Sequence, residues 1–160
     1  MQWYEFHQNV IGWAEARSII PNSNASAQRG KSYEEFAEAY KAFMKKDWDE
    51  FKDGIGDTAV TIVITNALEE IPMMKESMAN LEPVTPVFPL VDGTIDYLDR
   101  AAKAISEHRY STALQFLYYA VAASRGLHKF SWSDCLEKAW NEIKDRTGTM
   151  GEDGVFYKSQ

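Results

Sequence analysis

Trp3, Phe6, Val10 and Trp13 recur three and four residues apart, followed by Arg17, and this spacing predicts a first helix over about 2–18. Pro21 and the polar run NSNASAQ predict a loop through residue 28. Phe36, Tyr40 and Phe43 form the apolar stripe of a second helix over about 31–46, with Ser32 and Glu35 as an S-x-x-E capping box that puts its start at Ser32 or slightly earlier. A third helix starts near Asp47, where Asp47 and Glu50 give a D-x-x-E start signal. It continues through DGIGDTAVTIVITNAL, 53–68, which opens on two carboxylates and turns almost wholly apolar from Ala59. Pro72 ends or kinks it, and a weaker helical pattern resumes to about Asn80. LEPVTPVFPLVDG, 81–93, reads as an extended excursion between helices. A fourth helical region covers about 94–125, with a break near His108–Ser111. Its second half, STALQFLYYAVAA, is apolar on all sides and belongs in the core or a subunit interface. Ser131 or Ser133 caps a last helix that ends before Gly148, and GEDGVFYK forms a short strand or an ordered tail. The pattern predicts an all-α chain, a compact bundle of about four to five helices in a single domain over 1–160.

Composition adds constraints. The 160 residues are enough for one substantial core. A net charge of −7 argues against a general nucleic-acid binder, although a nucleotide substrate remains compatible because bound cations reverse the local sign. Cys135 stands alone, so no intrachain disulfide forms, which fits a reducing compartment. MQWYEFHQNV lacks the basic start and apolar core of a signal peptide, and no apolar run reaches the length of a membrane helix. The expectation is a soluble, cytoplasmic protein that binds neither membrane nor nucleic-acid polymer.

The carboxylates carry the candidate chemistry. Glu35 and Glu38 share one helix face, and Asp53 and Asp57 share a face of the next helix. A short connection near Lys46–Asp49 makes the two helices antiparallel neighbours, so four carboxylates converge. Such a group holds protons unless a cation joins it, and oxygen-only ligands select a hard ion such as Mg²⁺ or Mn²⁺. Gly54 and Gly56, poor helix formers, would leave room there for metal, water or substrate. The plainer alternative makes Glu35 a capping residue, and Glu34 and Glu38 a solvated face with Lys31 and Lys45 as partners. Other schemes fail on their spacing: there is no Glu-x-x-His pair, no zinc spacing among His7, His108 and His128, no phosphate-binding G-x-x-x-x-G-K-[ST] loop and no G-x-S-x-G elbow.

EEFAE (34–38) with DGIGD (53–57) resembles the EExxE and following carboxylate pair of the all-α nucleoside triphosphate pyrophosphohydrolases of the MazG type. The family's usual second pair, ExxD, falls on Gly54 and Asp57. Asp53 stands in for the missing glutamate, as in the DxxxD of the phosphoribosyl-ATP pyrophosphohydrolase branch. WNEIKDRTGTM (140–150) and DGVFYK (153–158) are similar to the end of phage-type members, and the resemblance covers about 13–70 and 110–158. It implies hydrolysis of a (deoxy)nucleoside triphosphate to monophosphate and pyrophosphate, with two or more Mg²⁺ or Mn²⁺ ions per site. The implied metal ligands are Glu35, Glu38, Asp53 and Asp57, and Glu34 completes the catalytic set with Glu35 and Glu38 by orienting water or supporting a ligand. Lys31, Asn141, Lys144, Arg146 and Lys158 would hold phosphates, while Trp13, Asn22, Asn24 and Gln28 would face the base. A homodimer or homotetramer is implied as well. A narrower resemblance is to the purine-specific MazZ-like branch, acting on dGTP or GTP in phage nucleotide metabolism. The competing functional class is a non-enzymatic helical adaptor whose acidic face serves only solubility.

Overall fold

The computed structural model describes residues 1–72 and 90–160. Those residues form α1 (Trp3–Ala16), α2 (Ile19–Asn22), α3 (Ala25–Lys45), α4 (Trp48–Leu68), α5 (Leu90–Ser106), α6 (Tyr110–His128) and α7 (Trp132–Ile143). A hairpin of β1 (Gly148–Met150) and β2 (Phe156–Lys158) follows. Among the described residues the chain is therefore all-α apart from this hairpin. The expected four to five helices become seven among the described residues, because the 94–125 region divides and one helical turn forms at Ile19–Asn22.

The start of α3 is also corrected. Its N-cap is Asn24, whose side chain accepts from Ala27 N at 2.8 Å, so residues 25–30 are helix rather than loop. Ser32 does not cap. Its hydroxyl bonds back to the Gln28 carbonyl at 3.2 Å and meets Thr61 Oγ1 at 2.9 Å, which ties α3 to α4. At the other end Lys46 adopts a left-handed conformation, φ 59°, and closes α3 in the way a C-terminal glycine usually does. Asp47 then caps α4, accepting from Glu50 N at 3.3 Å, as its D-x-x-E pattern predicts. The chain thus reverses in two residues and lays α4 against α3.

α4 is the central helix, in contact with α1, α2, α3, α6 and α7. Phe51, Ile55, Ala59, Ile62 and Val63 are fully buried on it, which accounts for a segment apolar on nearly every side. α5 and α6 form a second antiparallel pair, and their break falls at His108, φ 58°, inside the interval the sequence marks. On α6, Leu114, Leu117, Ala120 and Val121 are buried, while Phe116 and Tyr119 are half-buried and meet Tyr97 of α5 at ring distances of 6.3 and 5.5 Å. One face of α6 thus lies in the core, and its aromatic face packs partly on α5. Ser131, not Ser133, caps α7 through a reciprocal capping box with Asp134. Ser133 instead accepts from the N-terminal amine at 2.6 Å and donates to the Met1 carbonyl at 2.7 Å.

Residues 90–93, expected in the extended excursion, open α5; the rest of that excursion and the weak helical pattern to Asn80 lie outside the described residues. Among the described residues no helix is long and apolar enough to cross a membrane.

Candidate metal centre

Two glycines decide where the carboxylates go. A Cβ on Gly54 would lie 2.8 Å from Ala39 Cβ and 2.9 Å from the Ala39 backbone, so α3 rests directly against α4 there. A Cβ on Gly56 would strike the Cys135 carbonyl oxygen and come within 2.8 Å of Ala139 Cβ, so α7 rests against the other side. The glycines therefore leave no room for metal or substrate, which corrects the reading of them as space beside the acids. What they do is let two helix backbones approach, and each brings acidic side chains to Asp53 and Asp57.

From α7 comes Glu142, which the sequence reading did not single out. One carboxylate oxygen from each of Asp53, Asp57 and Glu142 lies within 4.8 Å of the others. Lys138, one turn earlier on α7, reaches Asp53 Oδ1 at 2.9 Å and Glu142 Oε1 at 2.5 Å. Burial works against the Lys138 charge, but the bonds to Glu142 and Asp53 outweigh it and raise its pKa above the ordinary lysine value. The i, i+4 spacing of Lys138 and Glu142 is visible in the sequence; that their shared face meets Asp53 depends on how α7 crosses α4.

From α3 comes Glu35. With Asp57 it lines a cleft of about 160 Å³, together with Trp13, Gln28, Lys31, Arg146 and the hairpin residue Phe156 among others. Burial, then the charges of Asp53, Glu35 and Glu142, push the Asp57 carboxyl up to about 7, opposed by Arg146. Burial, then Glu38 and Glu34, push Glu35 up to about 7 as well, opposed by Lys31. Two acids pushed toward their protonated forms, beside a third and a fourth, make a site whose negative charge is incompletely offset. Its donors are all carboxylate oxygens, which suits a hard divalent ion.

The remaining candidates divide between the cleft and its surroundings. Trp13 is 7% exposed, with the Arg17 guanidinium 5.1 Å from its ring centroid and Phe156 edge-on at 5.8 Å. Its indole Nε1 is buried with no hydrogen-bond partner among the described residues. Gln28 is buried and donates to Ser23 Oγ at 3.1 Å, and Ser23 donates to the Gly154 carbonyl at 2.5 Å, joining the α3 start to the hairpin turn. Asn24 is committed to capping, and Asn22 donates to the Ser18 carbonyl at 3.0 Å. Glu34 is exposed and pairs with Lys31 at 3.3 Å. Glu38 is exposed beside Lys41 and Lys45, outside the cleft, and reaches Glu35 only through its charge. Lys144 donates to Asn141 Oδ1 at 3.1 Å, both of them exposed, and Lys158 is exposed on β2. Of the four tail residues, Arg146 alone is among the cleft's lining.

The Arg17 guanidinium donates to the backbone carbonyls of Arg146 and Lys144, the latter at 3.1 Å, and so fixes where the chain leaves α7 for the hairpin. No protein-family model matches the chain, and no curated protein or solved structure is significantly similar to it.

Proposed function

We propose that the protein is a metal-dependent hydrolase that cleaves a (deoxy)nucleoside triphosphate to monophosphate and pyrophosphate. The observation that carries this reading is a cleft that joins Glu35 and Asp57 to two cations and an aromatic wall, with Asp53 and Glu142 converging on Asp57 beside it. Asp53, Asp57, Glu142 and Glu35 would hold Mg²⁺ or Mn²⁺. A divalent ion there supplies Lewis-acid activation of water and neutralisation of phosphate charge.

The chain's own residues supply the rest. Arg146 and Lys31 stand in the cleft as phosphate donors, with the planar guanidinium suited to paired phosphate oxygens. Trp13, Ile19, Ile64 and Phe156 give the apolar wall that a base or sugar requires. Glu34 orients from outside, through Lys31.

The test is a screen of common triphosphates with Mg²⁺ or Mn²⁺, beginning with dGTP and GTP, in ¹⁸O-labelled water. Label is expected in the monophosphate, with pyrophosphate as the second product. Label in the pyrophosphate would mean attack at the β-phosphorus, and absence of turnover with every triphosphate would remove the proposal.

Arg146 and Lys144 separate in a binding experiment. Because only Arg146 lines the cleft, Arg146→Ala is expected to weaken triphosphate binding by roughly 1.5–3 kcal/mol, the scale of a hydrogen bond to a charged group. Lys144→Ala should change it by less than about 0.5 kcal/mol, as for other exposed positions. The reverse order, measured by calorimetry with a non-hydrolysable analogue, would move the phosphate site out of the cleft.

A further inference from the structure

Lys138 occupies the position that a metal ion would contest. Its ammonium bonds Asp53 Oδ1 and Glu142 Oε1, two of the three carboxylates that converge. The third, Asp57, lines the cleft instead, beside Glu35. One lysine thus offsets two acids from two helices and leaves the others under-compensated. Such a bridge between α4 and α7 stabilises the close approach at Gly56, where mutual repulsion of the acids would otherwise act against it.

The choice of lysine matters. Its side chain is 32% exposed, and the ammonium is a compact charge on a flexible stem. It can swing to water while its stem stays against α7, so its departure requires no repacking. A guanidinium in the same place would hold both carboxylates with a rigid fork and give them up less readily. A divalent ion brings twice the charge to the same oxygens, and it does so with Asp57 added as a partner.

We propose, resting on the metal-site reading above, that Lys138 is the resident counter-cation of the acid cluster beside the cleft, holding Asp53 and Glu142 together in the ion-free protein and giving way when a divalent ion takes those oxygens. Lys138 is then a positioning residue that keeps the ligands assembled and sets the ion's affinity by competition. Metal loading becomes an exchange of one cation for another on a preformed site.

Direct Mn²⁺ binding tests this, with the full chain, no nucleotide, and free Mn²⁺ counted by electron paramagnetic resonance. Lys138→Met keeps the stem and removes the charge. It is expected to bind Mn²⁺ about tenfold more tightly than wild type, since a competing like charge is gone, and to melt at a lower temperature without the ion but not with it. Lys138→Arg keeps the charge and is expected to bind no more tightly than wild type. If wild type binds Mn²⁺ and Lys138→Met binds it equally or more weakly, the role assigned to Lys138 is overturned and the metal site stands. If Lys138→Met does not fold even with Mn²⁺, the lysine is structural and the proposal fails in the same way. No Mn²⁺ binding by wild type, or binding unchanged in Asp57→Asn, overturns the metal site and this inference together.

Discussion

Asp57→Asn is expected to stabilise the ion-free protein at pH 8 while reducing the proposed metal-dependent turnover by more than a hundredfold. The folded-state pKa of Asp57, about 7, lies above its ordinary 3.8. Between those values the folded protein binds more protons than the unfolded chain, so stability falls as pH rises through the window. Below about pH 4 both states hold the proton and the penalty vanishes; above about pH 7 it is fully present. At roughly 1.4 kcal/mol per unit, and allowing for partial solvent access, asparagine should recover about 2–4 kcal/mol at pH 8. Glu35 titrates in the same direction and keeps some pH dependence in the variant. Saturating Mn²⁺ should flatten the wild-type profile by compensating the same charge, and leave the variant's nearly unchanged. The activity loss should exceed the 10–100-fold seen for groups that only support a ligand from behind. Denaturant melts from pH 4 to 8, with and without Mn²⁺, make the comparison. A variant as unstable as wild type at pH 8, or one with wild-type turnover, would remove Asp57 from the site.

Gly56→Ala is expected to be among the most damaging single-methyl additions in the molecule. The new Cβ would meet the Cys135 carbonyl oxygen and, at 2.8 Å, the Ala139 Cβ. Both belong to a helix whose buried face, including Cys135, Leu136 and Ala139, is fixed in the core. Neither neighbour is the free end of a flexible side chain, so α7 must shift as a body. Overpacking of this kind costs about 1–3 kcal/mol and sometimes more, and here the upper end applies because backbone is struck. For a chain of this size that is a fall in melting temperature of roughly 6–12 °C. The movement also carries Glu142 and Lys138 away from Asp53, so ion affinity should fall with stability. A variant within about 0.5 kcal/mol of wild type, with Mn²⁺ affinity intact, would show that α4 and α7 do not meet as described.

These two positions also mark what the sequence could and could not reveal. That Asp57 meets other charged groups was legible because a carboxylate directly before a long apolar run needs a partner or a proton. The Asp47 cap and the break at His108 were legible, and the α7 cap was narrowed to Ser131 or Ser133, because each is a local signal decided within four residues of itself. Ser32 misled for the same reason. S-x-x-E is a start signal locally, but here the helix had already begun at Asn24, and the hydroxyl was needed to meet Thr61 on α4. The function of Gly54 and Gly56 was not legible, since a glycine at a close approach and a glycine beside a cavity look identical until the neighbouring helices are placed. Glu142 and Lys138 stayed hidden on similar grounds. Their i, i+4 pairing is ordinary for a solvated helix, and only the crossing of α7 over α4 turns it toward the acids.

The hairpin and the Arg17 anchor carry a consequence for the order of events during synthesis. The cleft takes Trp13 and Ile19 from the beginning of the chain, Glu35 and Asp57 from the middle, and Ile143, Arg146, Val155 and Phe156 from the last stretch. A ribosome releases the chain from the first end, at about 5–20 residues per second, and early segments pack as they emerge. The α3–α4 hairpin can close while the rest is still being made, because its partners are adjacent in sequence. Arg17, by contrast, finds the carbonyls of Lys144 and Arg146 only after those residues have left the exit tunnel. Until then the cleft lacks the wall that Ile143, Arg146, Val155 and Phe156 supply. The cleft would thus be completed only once residues 143–156 have joined the earlier helices.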